Sequence, residues 1–97
     1  MASKKTTEPN EHIVTVERDG ITVQVDTFYA KTWEGVHHLK RMRDTSLSND
    51  ERFFAMVDYY DKVVVNADEV AEALGGVDVN VIYEFMGEAV KEATPKN

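Results

Sequence analysis

Apolar residues recur along this chain with two different periods, and the change of period divides it. From His12 to Asp26 they alternate: Val14 and Val16 in one run, Ile21, Val23 and Val25 in the next. Asp19-Gly20 separates the runs, a pair that tolerates the positive φ of a type I′ turn. The pattern predicts a β-hairpin with its valines and isoleucine on one face. An isolated hairpin is marginal in water, so it must lie on helices or pair with another strand. Charged guards sit only at the ends of its short strands, which leaves self-pairing open.

Beyond Asp26 the spacing becomes three and four, the mark of helices. A first helix is expected from Thr32, with Glu34 in its first turn and Lys40, Arg41 and Arg43 in its last, charges placed as the helix dipole favours. Trp33, Val36, Leu39 and Met42 are its expected apolar side. Asp44–Leu47 is the loop to the most legible stretch, Ser48–Tyr60. There Ser48 and Glu51 form a capping box, and Phe53, Met56, Val57 and Tyr60 fall at i, i+3, i+4 and i+7. This is the expected central helix, with those four residues as its core face.

Val63-Val64-Val65 fits either a last helical turn or an extended segment. Asn66 with Glu69 repeats the cap-then-glutamate pattern, and Val65 with Val70 has staple spacing. Gly75-Gly76 ends that short helix. Val77, Asp78 and Ile82 repeat the staple-and-cap arrangement, and Ile82, Phe85, Met86 and Ala89 give the last helix its apolar face. The expected fold is α+β, mainly α: an N-terminal β-hairpin followed by three to four short helices packed around the Ser48–Tyr60 helix. Residues 1–11 read as a disordered arm, 12–92 as one globular domain and 93–97 as a tail.

Composition narrows the functional classes. There is no cysteine among the 97 residues, hence no disulfide framework and no thiolate metal site. The first residues lack the apolar core of a signal peptide, and no apolar run approaches a membrane span. A soluble protein of the cytoplasm is expected. The net charge of −7 is unevenly placed: residues 1–43 carry seven Lys/Arg against six Asp/Glu, residues 44–97 four against twelve. An acidic C-terminal half argues against nucleic acid, whose binding needs clustered cations.

Candidate chemistry is sparse. His37-His38 are adjacent on a helix and point about 100° apart, with no third ligand at a zinc-like spacing. Asp58 and Asp61 share a helical face but read as its solvated edge. Asp78-Val79-Asn80 begins like a calcium loop, yet Tyr83 stands where the sharp turn needs glycine. Ser46-Leu47 before a helix suggests an acyl-carrier attachment site, but Thr45 separates Ser46 from Asp44. No nucleophile–base set, metal set or cofactor motif emerges, so a non-catalytic protein without cofactors is expected. The outlying aromatics are more informative. Tyr29 in a loop, Trp33, and Phe54 and Tyr59 off the central helix's main stripe are the candidate protein-binding residues.

The order of elements resembles that of the small tail assembly chaperones of long-tailed bacteriophages. The likeness spans roughly residues 12–92. It is carried by the hairpin ending in Val25-Asp26, the helix opening on Trp33-Glu34, a Phe- and Met-rich helix, the short acidic Ala67–Leu74 helix, a glycine stop and a last helix. Lys31-Thr32 stand before the tryptophan where an acidic residue is commoner. The resemblance implies a viral protein of the host bacterial cytoplasm that binds the tape measure protein and keeps it soluble during tail assembly, with a homo-oligomer as a candidate assembly and neither nucleic acid nor membrane as partner. The alternative is a small acidic adaptor or regulatory protein binding another host or phage protein.

Overall fold

A computed structural model describes residues 12–94. Two antiparallel strands, β1 (Ile13–Arg18) and β2 (Ile21–Asp26), precede a 3-10 turn (Tyr29–Lys31) and four helices: α1 (Trp33–Arg43), α2 (Asn49–Val63), α3 (Ala67–Leu74) and α4 (Val79–Ala93). The fold is α+β and mainly α, as the patterning predicts.

The hairpin closes at Asp19 and Gly20, both with positive φ (52° and 79°), and pairs Val14 with Val25, Val16 with Val23 and Arg18 with Ile21. Those six side chains share one face, and α4 lies across it against both strands. The opposite face is wet, as usual for an antiparallel sheet covered on one side. Val23 and Val25 are fully buried, whereas Val14, at the open end of the face, is 39% exposed.

Val63–Val65 is divided between its two readings. Val63 ends α2, Val64 bridges Val25, and the Val65 N–H donates to the Gln24 carbonyl at 2.8 Å. Asn66 continues the attachment with its side chain. Its Oδ1 accepts the Gln24 N–H at 2.9 Å and its Nδ2 donates to the Thr22 carbonyl at 2.9 Å. This corrects the expected cap: Asn66 precedes α3, but its amide makes no bond to an α3 backbone N–H. It closes the outer edge of β2 as a further strand residue would. The expected staple fails with it, since Val65 is half exposed while Val64 beside it is fully buried.

α2 touches α1, α3, α4, β2 and the 3-10 turn, so its central position stands. Its capping box is complete, with Glu51 N–H to Ser48 Oγ at 3.1 Å and Ser48 N–H to Glu51 Oε1 at 3.0 Å. The expected core face, however, is turned. Ala55, Tyr59 and Val63 form the buried line, and Phe53, Met56, Val57 and Tyr60 are only half-buried. The rotation is roughly a third of a turn. A stripe drawn through the large side chains passed over Ala55, which is 3% exposed.

The core unites Val23, Val25, Tyr29, Tyr59, Val63, Val64, Val70, Met86, Ala89 and Ala93. Met86 and Ala89 lie on the predicted α4 face with Ile82 and Phe85 packed beside them. Ala93, assigned above to the tail, is the last residue of α4 and is buried. The expected arm, residues 1–11, and the last three residues lie outside the described part. No helix is long and apolar enough to cross a membrane among the described residues.

Candidate protein-binding surface

Two of the four candidate binding residues belong to the interior. Tyr29 is 8% exposed and Tyr59 5%, and their rings meet at 5.7 Å between centroids. Tyr29 lies on the 3-10 turn rather than in an open loop, because Asp26 Oδ1 accepts the Phe28 N–H and turns the chain back onto α2. Its hydroxyl donates to Glu34 Oε2 at 3.1 Å, and the same carboxylate faces His38 and Lys62, each at 3.7 Å. Burial and the Glu34 carboxylate push the Tyr29 phenol well above its ordinary range. Tyr29 is held in the interior, while Tyr59, though buried, lines a groove.

Trp33 and Phe54 are on the surface, 76% and 61% exposed. They are not neighbours. Trp33 opens α1 and stacks on His37 at 3.8 Å, whose Nδ1 lies 2.8 Å from the Trp33 carbonyl oxygen. Phe54 is in the first half of α2, edge-on to Phe53. The structure therefore does not bring the four residues together. The expected apolar side of α1 is corrected as well: Trp33 and Val36 are exposed, and Gly35 is the residue α1 buries fully.

The groove that Tyr59 lines, of about 540 Å³, lies elsewhere, formed by α1, α2 and α4. Leu39, Met56, Val81, Gly87 and Val90 supply apolar walls, and Tyr60 and Tyr83 bring phenol rings to it. Gly87 leaves its floor open, since a methyl group there would touch only Tyr60 Oη at 3.4 Å and Cζ at 3.8 Å. Glu84, Glu88 and Lys91 form a charged rim, with Lys91 Nζ 3.5 Å from Glu88 Oε2. Leu39 also borders a second hollow of about 730 Å³ on α1, lined by Val36, Lys40, Arg43 and Asp44.

Electrostatics in this region hold groups in place. The Tyr83 hydroxyl donates to Asp61 Oδ1 at 2.8 Å, and burial together with that carboxylate pushes its pKa up to about 12. Burial raises Tyr59 and Tyr60 too. In the α1–α2 loop, Ser46 donates both its hydroxyl and its N–H to Asp44 Oδ1, which lowers the Asp44 pKa. Among the described residues no three His, Cys, Asp or Glu side chains are grouped to hold a metal ion.

The groove was missed because its walls come from three helices whose relative placement periodicity does not contain. Two signals pointed toward it. Val81 is a valine off the α4 core face and nearly half exposed, and Gly87 interrupts a strong helical pattern at a cost of about 1 kcal/mol relative to alanine. Comparison with protein-family models, curated proteins and solved structures finds no significant match.

Proposed function

We propose that this chain is a non-catalytic tail assembly chaperone of the long-tailed bacteriophage kind, binding a helical segment of the tape measure protein and keeping it soluble in the host cytoplasm during tail assembly. The observation that carries the reading is the open groove between α1, α2 and α4. Its walls are apolar, its rim is charged, and its lining follows α4 from Asn80 to Lys91, features of a surface into which an amphipathic helix can lay its apolar face. Such a client presents apolar residues at helical spacing, and the groove offers Leu39, Met56, Val81 and Val90 to meet them. The net charge of −7 supports solubility of the complex. Trp33 and Phe54, both exposed and outside the groove lining, are the further candidate contacts of this reading. No cofactor, nucleic acid or membrane enters this reading.

Co-expression with fragments of a tape measure protein tests it. The parent chain is expected to retain the fragments in the soluble fraction. Met56→Glu and Val81→Glu, at positions that are half-buried or exposed, are expected to release them while circular dichroism stays unchanged. Fragments held equally well by both variants would remove the groove from the reading. Failure to hold any tape measure fragment, with tight capture of one folded host or phage protein, would favour the adaptor alternative.

A further inference from the structure

Among the described residues the hairpin has one closed edge and one open edge. In the β1–β2 ladder Val14, Val16 and Arg18 are the residues whose N–H and C=O groups face β2. This parity follows from the bond that Thr27 N–H donates to the His12 carbonyl at 2.8 Å, one step beyond the Ile13–Asp26 pair. It is confirmed on the far side, where Thr22 and Gln24 direct their groups outward and meet Val65 and Asn66. On β1 the outward groups belong to Ile13, Thr15 and Glu17. Among the described residues none of their backbone N–H or C=O groups has a partner outside the hairpin, and Thr15 and Glu17 are exposed. An edge of this kind is a template for another strand.

We propose that this edge binds a second copy of the chain, β1 antiparallel to β1, joining two hairpins into a four-stranded sheet. The sequence of the strand favours its own copy. With Thr15 on the two-fold axis, Thr15 faces Thr15, Ile13 faces Glu17 and Val14 faces Val16 of the second copy. All three outward residues then form hydrogen-bonded pairs, about six bonds in all. Threonine opposite threonine is a favourable cross-strand pair, and no like charges oppose one another. The register also places each Val14, 39% exposed in the single chain, beside the second copy's Val16 on the side covered by α4. Shifting the axis to Val14 or Val16 leaves fewer outward residues of β1 opposed. The proposal stands apart from the groove and from the chaperone reading.

Sedimentation velocity of the full chain from about 10 µM to about 1 mM tests it. The parent is expected to pass from monomer to dimer within that range. Thr15→Pro removes an N–H that points away from β2, so the hairpin keeps its ladder while the dyad pair loses both donors. It is expected to weaken dimerisation at least about tenfold with the circular dichroism spectrum retained. Thr15→Lys and Thr15→Glu extend the test without proline. Each alone places like charges across the axis and weakens dimerisation, and an equimolar mixture of the two restores it. A parent monomeric at every concentration would overturn the proposal. So would a dimer that persists unchanged in Thr15→Lys and Thr15→Glu, or a mixture that associates no better than either variant alone.

Discussion

Gly35→Ala is the substitution for which local and tertiary reasoning give opposite signs. Gly35 lies in the first turn of α1, and alanine in place of a helical glycine is ordinarily worth up to about 1 kcal/mol. Here the added methyl would overlap the Tyr29 carbonyl oxygen outright, and would lie 2.9 Å from that carbonyl carbon and 3.1 Å from Thr32 Oγ1. The obstacle is mainly backbone, which cannot rotate aside as a side-chain tip would. Relief requires α1 to part from the 3-10 turn. That separation strains the two bonds of Thr32, its hydroxyl to the Tyr29 carbonyl at 2.7 Å and the Gly35 N–H to its Oγ1 at 3.0 Å. It also disturbs the Tyr29–Tyr59 packing. Overpacking costs about 1–3 kcal/mol and a lost helix cap about 1. Set against the propensity gain, a net loss of about 2 kcal/mol is expected, or a Tm lower by about 10 °C. Gly87→Ala is the internal control. Its methyl meets only the Tyr60 phenol at ordinary distances, so a gain of about 0.5 kcal/mol is expected. Urea denaturation of both variants beside the parent reads the two signs. If Gly35→Ala were as stable as the parent, the close approach of α1 to the 3-10 turn would be wrong.

Three further predictions concern the edge of β2, the tyrosines and the aromatic surface. Asn66→Ala leaves the Gln24 N–H and the Thr22 carbonyl without their side-chain partner and should cost about 1–3 kcal/mol in urea denaturation; a fall no larger than that of an Asp68→Ala control would contradict the edge-closing role. All four tyrosines ionise above their ordinary value in the folded chain, so the folded state holds its phenolic protons more tightly than the unfolded one. Their contribution is fully present below pH 10 and is lost as pH rises from 10 toward 12 and beyond. Thermal melts across that interval should show a falling Tm, and Tyr83→Phe should make the fall shallower. Finally, Trp33→Ala and Phe54→Ala should leave stability within about 0.5 kcal/mol of the parent, whereas Tyr59→Ala should cost about 3 kcal/mol or more; equal costs for the three would reverse the division between surface and core.

Much of the fold was legible because its signals are local. Asp19-Gly20 specifies its turn through the positive φ that these two residues tolerate. Ser48 with Glu51 specifies a helix start through two reciprocal bonds within four residues. Gly75 adopts φ 75° just beyond α3, and the spacing of Ile82, Phe85, Met86 and Ala89 states which side of α4 is buried. Each of these depends on a few neighbouring residues and on backbone geometry, which the order of amino acids contains.

The tertiary structure decided what depends on distant segments. Asn66 has the residue type of a helix cap, yet its amide goes to Thr22 and Gln24 more than forty positions away, because the chain leaving α2 arrives beside β2. Periodicity puts Tyr59 off the main stripe of α2 and Tyr29 in a loop, yet both are core, because α2 receives neighbours on more than one side and its deepest line runs through Ala55. Of the four aromatics singled out, Trp33 and Phe54 remain on the surface, apart from each other. The groove between α1, α2 and α4 exists only in the placement of three helices, and no periodicity within one helix encodes where the next one lies. Sequence thus set the elements and most of their boundaries, through interactions a few residues long. Packing set which faces meet and where a partner finds an open surface, since burial is shared between segments distant in sequence.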